Sequence, residues 1–312
     1  MMTSAQKDRP PLISPLWLGV LIGLIGMTAI LPGGYDGWLY YFNLWTPRTT
    51  APAWVHGFLA PLTVLPPYPA PFRWMVIVIL TALSIRLAIM VFGGRWIWVV
   101  FSVPFLWTIW LGQIEFITVI SLILGWWVVH HKAHPIWLGV AIVGLLTKFQ
   151  VGGGIIALFC LWLIIEKRWR DLMWAGIIIC LILIVTFIVY PNWVGLWLES
   201  LRVLNPSGRF FDSSIFPIGI LAWGVAILPI PMTRIRRLRL VASATLLGSP
   251  YFANYHCVTL LSASSKMGYW LVSWLTVAPM VLWNNQRFAW IIPLAVLVGE
   301  GWLAWKEHHA HD

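Results

Sequence analysis

Residues 172–190 read LMWAGIIICLILIVTFIVY, a stretch without a single charge. About 20 apolar residues are what a helix needs to cross the ~30 Å hydrocarbon core of a bilayer, and comparable runs recur along the chain. Only 10% of the 312 residues are charged and 60% are hydrophobic. A soluble domain with so little polar surface would aggregate, so the composition belongs to an integral membrane protein. Turns and charged clusters separate the runs, with no residue-by-residue alternation, which points to helices rather than barrel strands. The expected fold class is all-α: a polytopic transmembrane helical bundle of about ten to twelve spans, forming a single transmembrane domain over 1–312.

Candidate spans are 14–32, 72–92, 96–111, 113–130, 136–149, 151–165, 172–190, 213–231, 238–250, 251–265, 268–284 and 288–305. The first follows Lys7 and Arg9 but has no small-x-small cleavage site, and reads as an uncleaved span. The net charge of +10 invites a nucleic-acid reading. Its distribution argues against one, because Lys7/Arg9, Arg95, Lys132, EKRWRD (166–171), TRIRRLR (233–239), Lys266 and Lys306 fall on alternate connections. That is the pattern of cytoplasmic loops. It predicts a multi-pass cell-membrane protein with both termini inside and loops 33–71 and 191–212 outside.

The polar residues that need explaining lie on the outer connections. In ILPGGYDGWLYYFNLW (30–45), Asp36 follows a turn and sits among aromatics such as Tyr40. It is either a helix cap or a general base whose pKa is tuned at the membrane boundary. WLGQIEF (110–116) puts Gln113 and Glu115 beside a tight glycine turn, where they are either ordinary turn residues or groups that hydrogen-bond a polyhydroxyl ligand or orient a neighbouring side chain. Lys148, in GLLTKFQVGGG, is flanked by apolar spans; it either snorkels to the interface or meets an anion such as a phosphate. GSPYFANYHC (248–257) breaks at Pro250 and presents Asn254, Tyr255 and His256, as packing groups of a kinked helix or as a site.

Other features read as structural. Cys160, Cys180 and Cys257 lie in apolar segments without disulfide or metal-ligand spacing. His130, His131, His134 and the tail histidines read as incidental, and most of the 24 Trp fit an interfacial aromatic belt. Walker, Rossmann, nucleophile-elbow and HExxH motifs are absent. An enzyme of this kind would need an activated donor already in the lipid.

Taken in order, these pieces resemble the GT-C glycosyltransferases, most closely glycosyltransferase family 87, the polyprenyl-phosphate-mannose-dependent mannosyltransferases. GYDGWLYYF is similar to the family's first-loop Asp followed by aromatics, APAWVHGFLAPLTVLP (51–66) to its proline-rich stretch, and LGQIEFITVISLILGWW to its Gly-Gln helix. Residues 137–171 resemble its small-residue helix with a late Lys, and GSPYFANYH its late Ser-Pro segment. Asn254 and Tyr255 stand where the family often has Asp and His. The resemblance implies a GT-C-like bundle whose site faces outside, and transfer of a hexose, mannose in the family, from a polyprenyl-phosphate donor to a lipid or glycan acceptor with inversion. It makes Asp36 the base. Lys148, His256 and Arg209 become candidates for the donor phosphate, and Gln113, Glu115, Asn254, Tyr255 and Tyr40 for substrate. No cofactor, metal or nucleic acid is called for. A flippase for a lipid-linked sugar and a non-catalytic membrane scaffold are the competing readings.

Overall fold

The structure, a computed structural model, describes residues 14–36, 52–63, 71–203, 212–283 and 287–309. Its regular elements among these are all helical. In chain order they are α1 (Pro15–Ile30), α2 (Trp54–Thr63), α3 (Pro71–Phe92), α4 (Trp96–Val100), α5 (Val103–Leu111), α6 (Glu115–His131), α7 (Ile136–Leu145), α8 (Phe149–Ile165), α9 (Trp169–Val189), α10 (Trp193–Val203), α11 (Ala222–Ala226), α12 (Arg234–Leu247), α13 (Cys257–Ala263), α14 (Met267–Leu275), α15 (Val277–Trp283) and α16 (Ile291–His309).

Four helical stretches are long and apolar enough to cross a membrane: Phe72–Phe92, Ile136–Ile165, Trp169–Val189 and Arg287–His309. On α9 only 11% of the apolar window is buried inside the protein, and Leu181, Ile184, Val185, Phe187, Ile188 and Val189 are all exposed. In water such a face would aggregate; against lipid tails it costs nothing.

Several expected spans differ from continuous helices. The stretch 136–165 is sharply bent rather than straight. A Cβ on Gly152 would overlap the Leu145 carbonyl, although seven residues of straight helix would separate the two by about 10 Å. The bend is a 3-10 turn, Leu146–Lys148, which places the reversal just before the expected 149–151 turn. Span 96–111 breaks at Ser102, which caps α5 through Phe105 N, and span 268–284 breaks at Thr276. Over 213–231 the chain forms a 3-10 turn and the five-residue α11. Pro217, Pro229 and Pro231 remove donors and clash with preceding turns there. The basic run 233–239, expected as a connection, lies mostly inside α12, capped by the Thr233 hydroxyl on Arg236 N.

Cations in the first turn of a helix oppose its dipole, so α12 needs compensation. Arg234 pairs with Glu166 and Arg236 with Glu307. Fully buried Glu300 takes Lys266 at 2.5 Å and both Arg236 and Arg239 at 3.5 Å. Arginines also satisfy carbonyls at helix ends. Arg239 donates to Ala263 O and Phe92 O, and Arg168 to Val128 O and Val129 O. The C-termini of α3, α6, α8 and α13 and the start of α12 are thereby gathered at one basic end. The helices run from there to an opposite end, where 32–36, 110–115, 146–148 and 249–256 meet.

Candidate functional site

Two glycines build the floor of that opposite end. Gly112 ends α5 at φ +70°, and a Cβ on it would lie 2.8 Å from Gly34 Cα. Gly34, at φ +75°, sends its N–H to Trp110 O at 2.7 Å. Left-handed conformations and backbone-to-backbone approach both favour glycine. Trp74 Nε1 donates to Ile109 O and Trp110 Nε1 to Pro32 O, which pins the 32–36 segment onto the end of α5.

Asp36 is thereby brought against the Gln113 turn. Gln113 Nε2 donates to Asp36 Oδ2, and Lys148 Nζ donates to Gln113 Oε1 at 2.8 Å. Lys148 Nζ also lies 3.5 Å from Glu115 Oε1, whose other oxygen accepts from the Thr259 hydroxyl at 3.4 Å. Residues 35 and 36 are already helical, so Gly34 occupies the cap position and the Asp36 side chain is spent on Gln113. Gln113, Glu115, Lys148 and His256 are buried, while Asp36 is half-buried.

The cluster is recessed. α6 has 17 residues and α9 has 21, about 25 and 31 Å respectively. Both reach the basic end, so Glu115 stops about one turn short of the far end of α9. The bend at Lys148 brings the ammonium to the same depth.

The electrostatics follow from this placement. Burial raises the pKa of Asp36 above the usual carboxylate value, while the Lys148 charge and the Gln113 hydrogen bond pull the other way. One ammonium stands among two carboxylates, so neither acid is left without a countercharge. His256 Nδ1 accepts Ala253 N–H at 2.9 Å. In the neutral ring the proton therefore sits on Nε2, which makes His256 a donor. Its ring packs edge-on to Tyr255 at 4.5 Å, and Tyr255 presents its face to Lys148 Nζ at 4.9 Å. Asn254 Oδ1 is buried without a hydrogen-bond partner.

Asp36, Gln113, Glu115, Lys148, Tyr255 and His256 thus lie in one neighbourhood, with Asn254 adjoining. Tyr40 and Arg209 fall outside the described residues. An open cleft of about 360 Å³ lies away from the cluster, against Pro191, Asn192, Val194, Gly195 and Leu196. The sequence reading missed Thr259. Its signal was the three-residue step from His256, which places both on one helical face. Asp212 accepts from Ser214 N and Phe252 N and ties two loops together.

No family profile, curated protein or solved structure matches this chain.

The chemistry must therefore be argued from the cluster itself. It holds a carboxylate able to take a proton, an amide and an ammonium fixing that carboxylate, and a histidine N–H nearby.

Proposed function

We propose that the protein is a membrane glycosyltransferase that moves a hexose, mannose in our reading, from a polyprenyl-phosphate donor to a lipid or glycan acceptor at the outer face, with inversion. The observation that carries this is the convergence of Asp36, Gln113 and Lys148, held by hydrogen bonds across 77 and 35 residues of sequence at the non-basic end of an apolar bundle. The same three residues lie in three of the segments that resemble GT-C enzymes.

Asp36 takes the acceptor hydroxyl's proton while that oxygen attacks the anomeric carbon from the face opposite the phosphate. The C–O bond to phosphate breaks and its electron pair stays on the phosphate, whose charge rises by one. Lys148, the His256 N–H and Arg209 are the groups assigned to that growing charge. Glu115, Asn254, Tyr255 and Tyr40 are assigned to the sugar and acceptor, while both ends of the Gln113 amide are engaged by Asp36 and Lys148. A lipid donor suits the site's recessed position, because a polyprenyl chain approaches through the bilayer and needs no soluble-nucleotide pocket.

The test is transfer by purified protein supplied with radiolabelled polyprenyl-phosphate-mannose and total envelope lipids. Labelled product with inverted anomeric configuration is expected. Export of intact donor across vesicles, with no product, would instead make the protein a flippase.

Sidedness is tested separately. On a background lacking Cys160, Cys180 and Cys257, Asn192→Cys should react with an impermeant thiol reagent in intact cells. Lys132→Cys should react only after lysis, since the positive-inside rule puts the basic end in the cytoplasm. The reverse pattern would move the site to the inner face.

A further inference from the structure

We infer that Gln113 is a positioning residue for Asp36, its amide oriented by Lys148 so that Asp36 Oδ2 is occupied and Oδ1 is left for the reacting hydroxyl. This rests on the reading of Asp36 as the base and deepens it.

An amide has two nearly isosteric ends of opposite hydrogen-bonding character. An ammonium can only donate, so Lys148 selects Oε1. Nε2 is then turned to Asp36, and the oxygen it meets must accept. An ionised carboxylate can accept there, whereas a proton on Oδ2 would oppose the Gln113 N–H. Gln113 is only 2% exposed, so water cannot readily replace either contact. Its backbone is fixed too: Gln113 N donates to Thr108 O at 2.9 Å, directly after left-handed Gly112. The Gly34–Gly112 contact sets the spacing between the two loops, and Glu115, two residues on, holds Lys148 from its other side.

The charged and titratable groups around Asp36 and Lys148 come from several elements. Lys148 lies on the bend before α8, Glu115 on α6 beyond Lys148, His256 before α13, and Tyr251 on the preceding loop near Asp212. The uncharged Gln113 amide donates the hydrogen bond to the carboxylate. A carboxylate pinned at one oxygen offers the other in a fixed direction. The acceptor proton passes to Oδ1 as the new C–O bond forms.

Two substitutions test this. Gln113→Met keeps the volume and removes both polar ends. Gln113→Glu keeps an acceptor for Lys148 but faces Asp36 with a second carboxylate in place of a donor. Like charges raise one another's pKa. Infrared titration of the Asp36 carboxyl, referenced to Asp36→Asn, should therefore move up by about one pH unit or more in Gln113→Glu. The acid limb of kcat should move with it. Gln113→Met should lower kcat by about 10–100-fold with donor KM within about twofold, as loss of a group acting only in the transition state requires.

A raised KM with unchanged kcat in Gln113→Met would mean that Gln113 binds substrate, and would overturn the inference. So would an Asp36 titration unmoved in Gln113→Glu, which is read without substrate and decides the matter even if Gln113→Met fails to fold. A protein whose titration shifts but which transfers no sugar would fail the transferase reading while keeping Gln113 beside Asp36.

Discussion

Asp36→Asn is expected to lower single-turnover sugar transfer by ~10²–10⁴-fold, the usual contribution of a general base. The amide keeps the size and most of the hydrogen bonding but cannot take the acceptor's proton. Donor binding should change little, because the phosphate contacts are assigned to other residues. The fold should survive, since burial raises the Asp36 pKa. A group with a raised folded-state pKa contributes stability while protonated, below its ordinary value, and loses that contribution as pH rises through the folded value. A neutral amide therefore does not forfeit stability that ionised Asp36 supplied by burial. In the wild type, transfer should fall on the acid side, as Asp36 protonates, at a pH above the ordinary aspartate value. Wild-type transfer rates in folded Asp36→Asn would end the base assignment. A helix-stabilising acid would instead show a loss of about 0.5–2 kcal/mol with turnover intact.

The site was legible in sequence to the extent that it consists of rare polar groups at the edges of apolar runs. Asp36, Gln113, Lys148 and His256 each sat at the same side of an alternating chain, and the structure brings them to one end of the bundle. Apolar periodicity and alternating basic clusters are local signals, and a bundle has only two ends. The contact that joins 32–36 to 110–113 was not legible. PGG and LGQ each read as turns, but nothing local says that Gly34 and Gly112 touch. That fact belongs to packing between loops far apart in sequence.

The helical count was legible only coarsely. Hydropathy registers 213–231 as an apolar run because it cannot weigh three prolines against the hydrogen-bond ladder. It separated 136–149 from 151–165 at Gln150, and the chain reverses just before that, at Leu146–Lys148. The arginines at 234–239 were read as topology markers. Their second role, satisfying Glu300 and the last carbonyls of α3 and α13, depends on partners that no local pattern names.

Lys148→Met is expected to cost ~3–5 kcal/mol of stability, the loss seen when one partner of a buried ion pair is removed. Glu115 is fully buried, and Lys148 is its charged partner at 3.5 Å. Without the ammonium, the carboxylate keeps the 3.4 Å contact from the Thr259 hydroxyl. The carboxylate must then protonate or stay charged in an apolar surrounding. Gln113 also loses the donor that fixes its orientation. Lys148→Met combined with Glu115→Gln removes both charges and leaves an amide that Thr259 can still meet. Replacing both members of a buried pair by neutral groups is often close to neutral, so the double variant should return to within about 1 kcal/mol of wild type. Detergent-driven unfolding of the purified protein measures all three. Transfer should not return with stability, because the double variant still lacks the cation assigned to the donor phosphate. A lysine snorkelling to the interface would behave differently. Its removal would cost well under 1 kcal/mol and the second substitution would rescue nothing. That outcome would remove Lys148 from the site and leave the orientation of Gln113 without its cause.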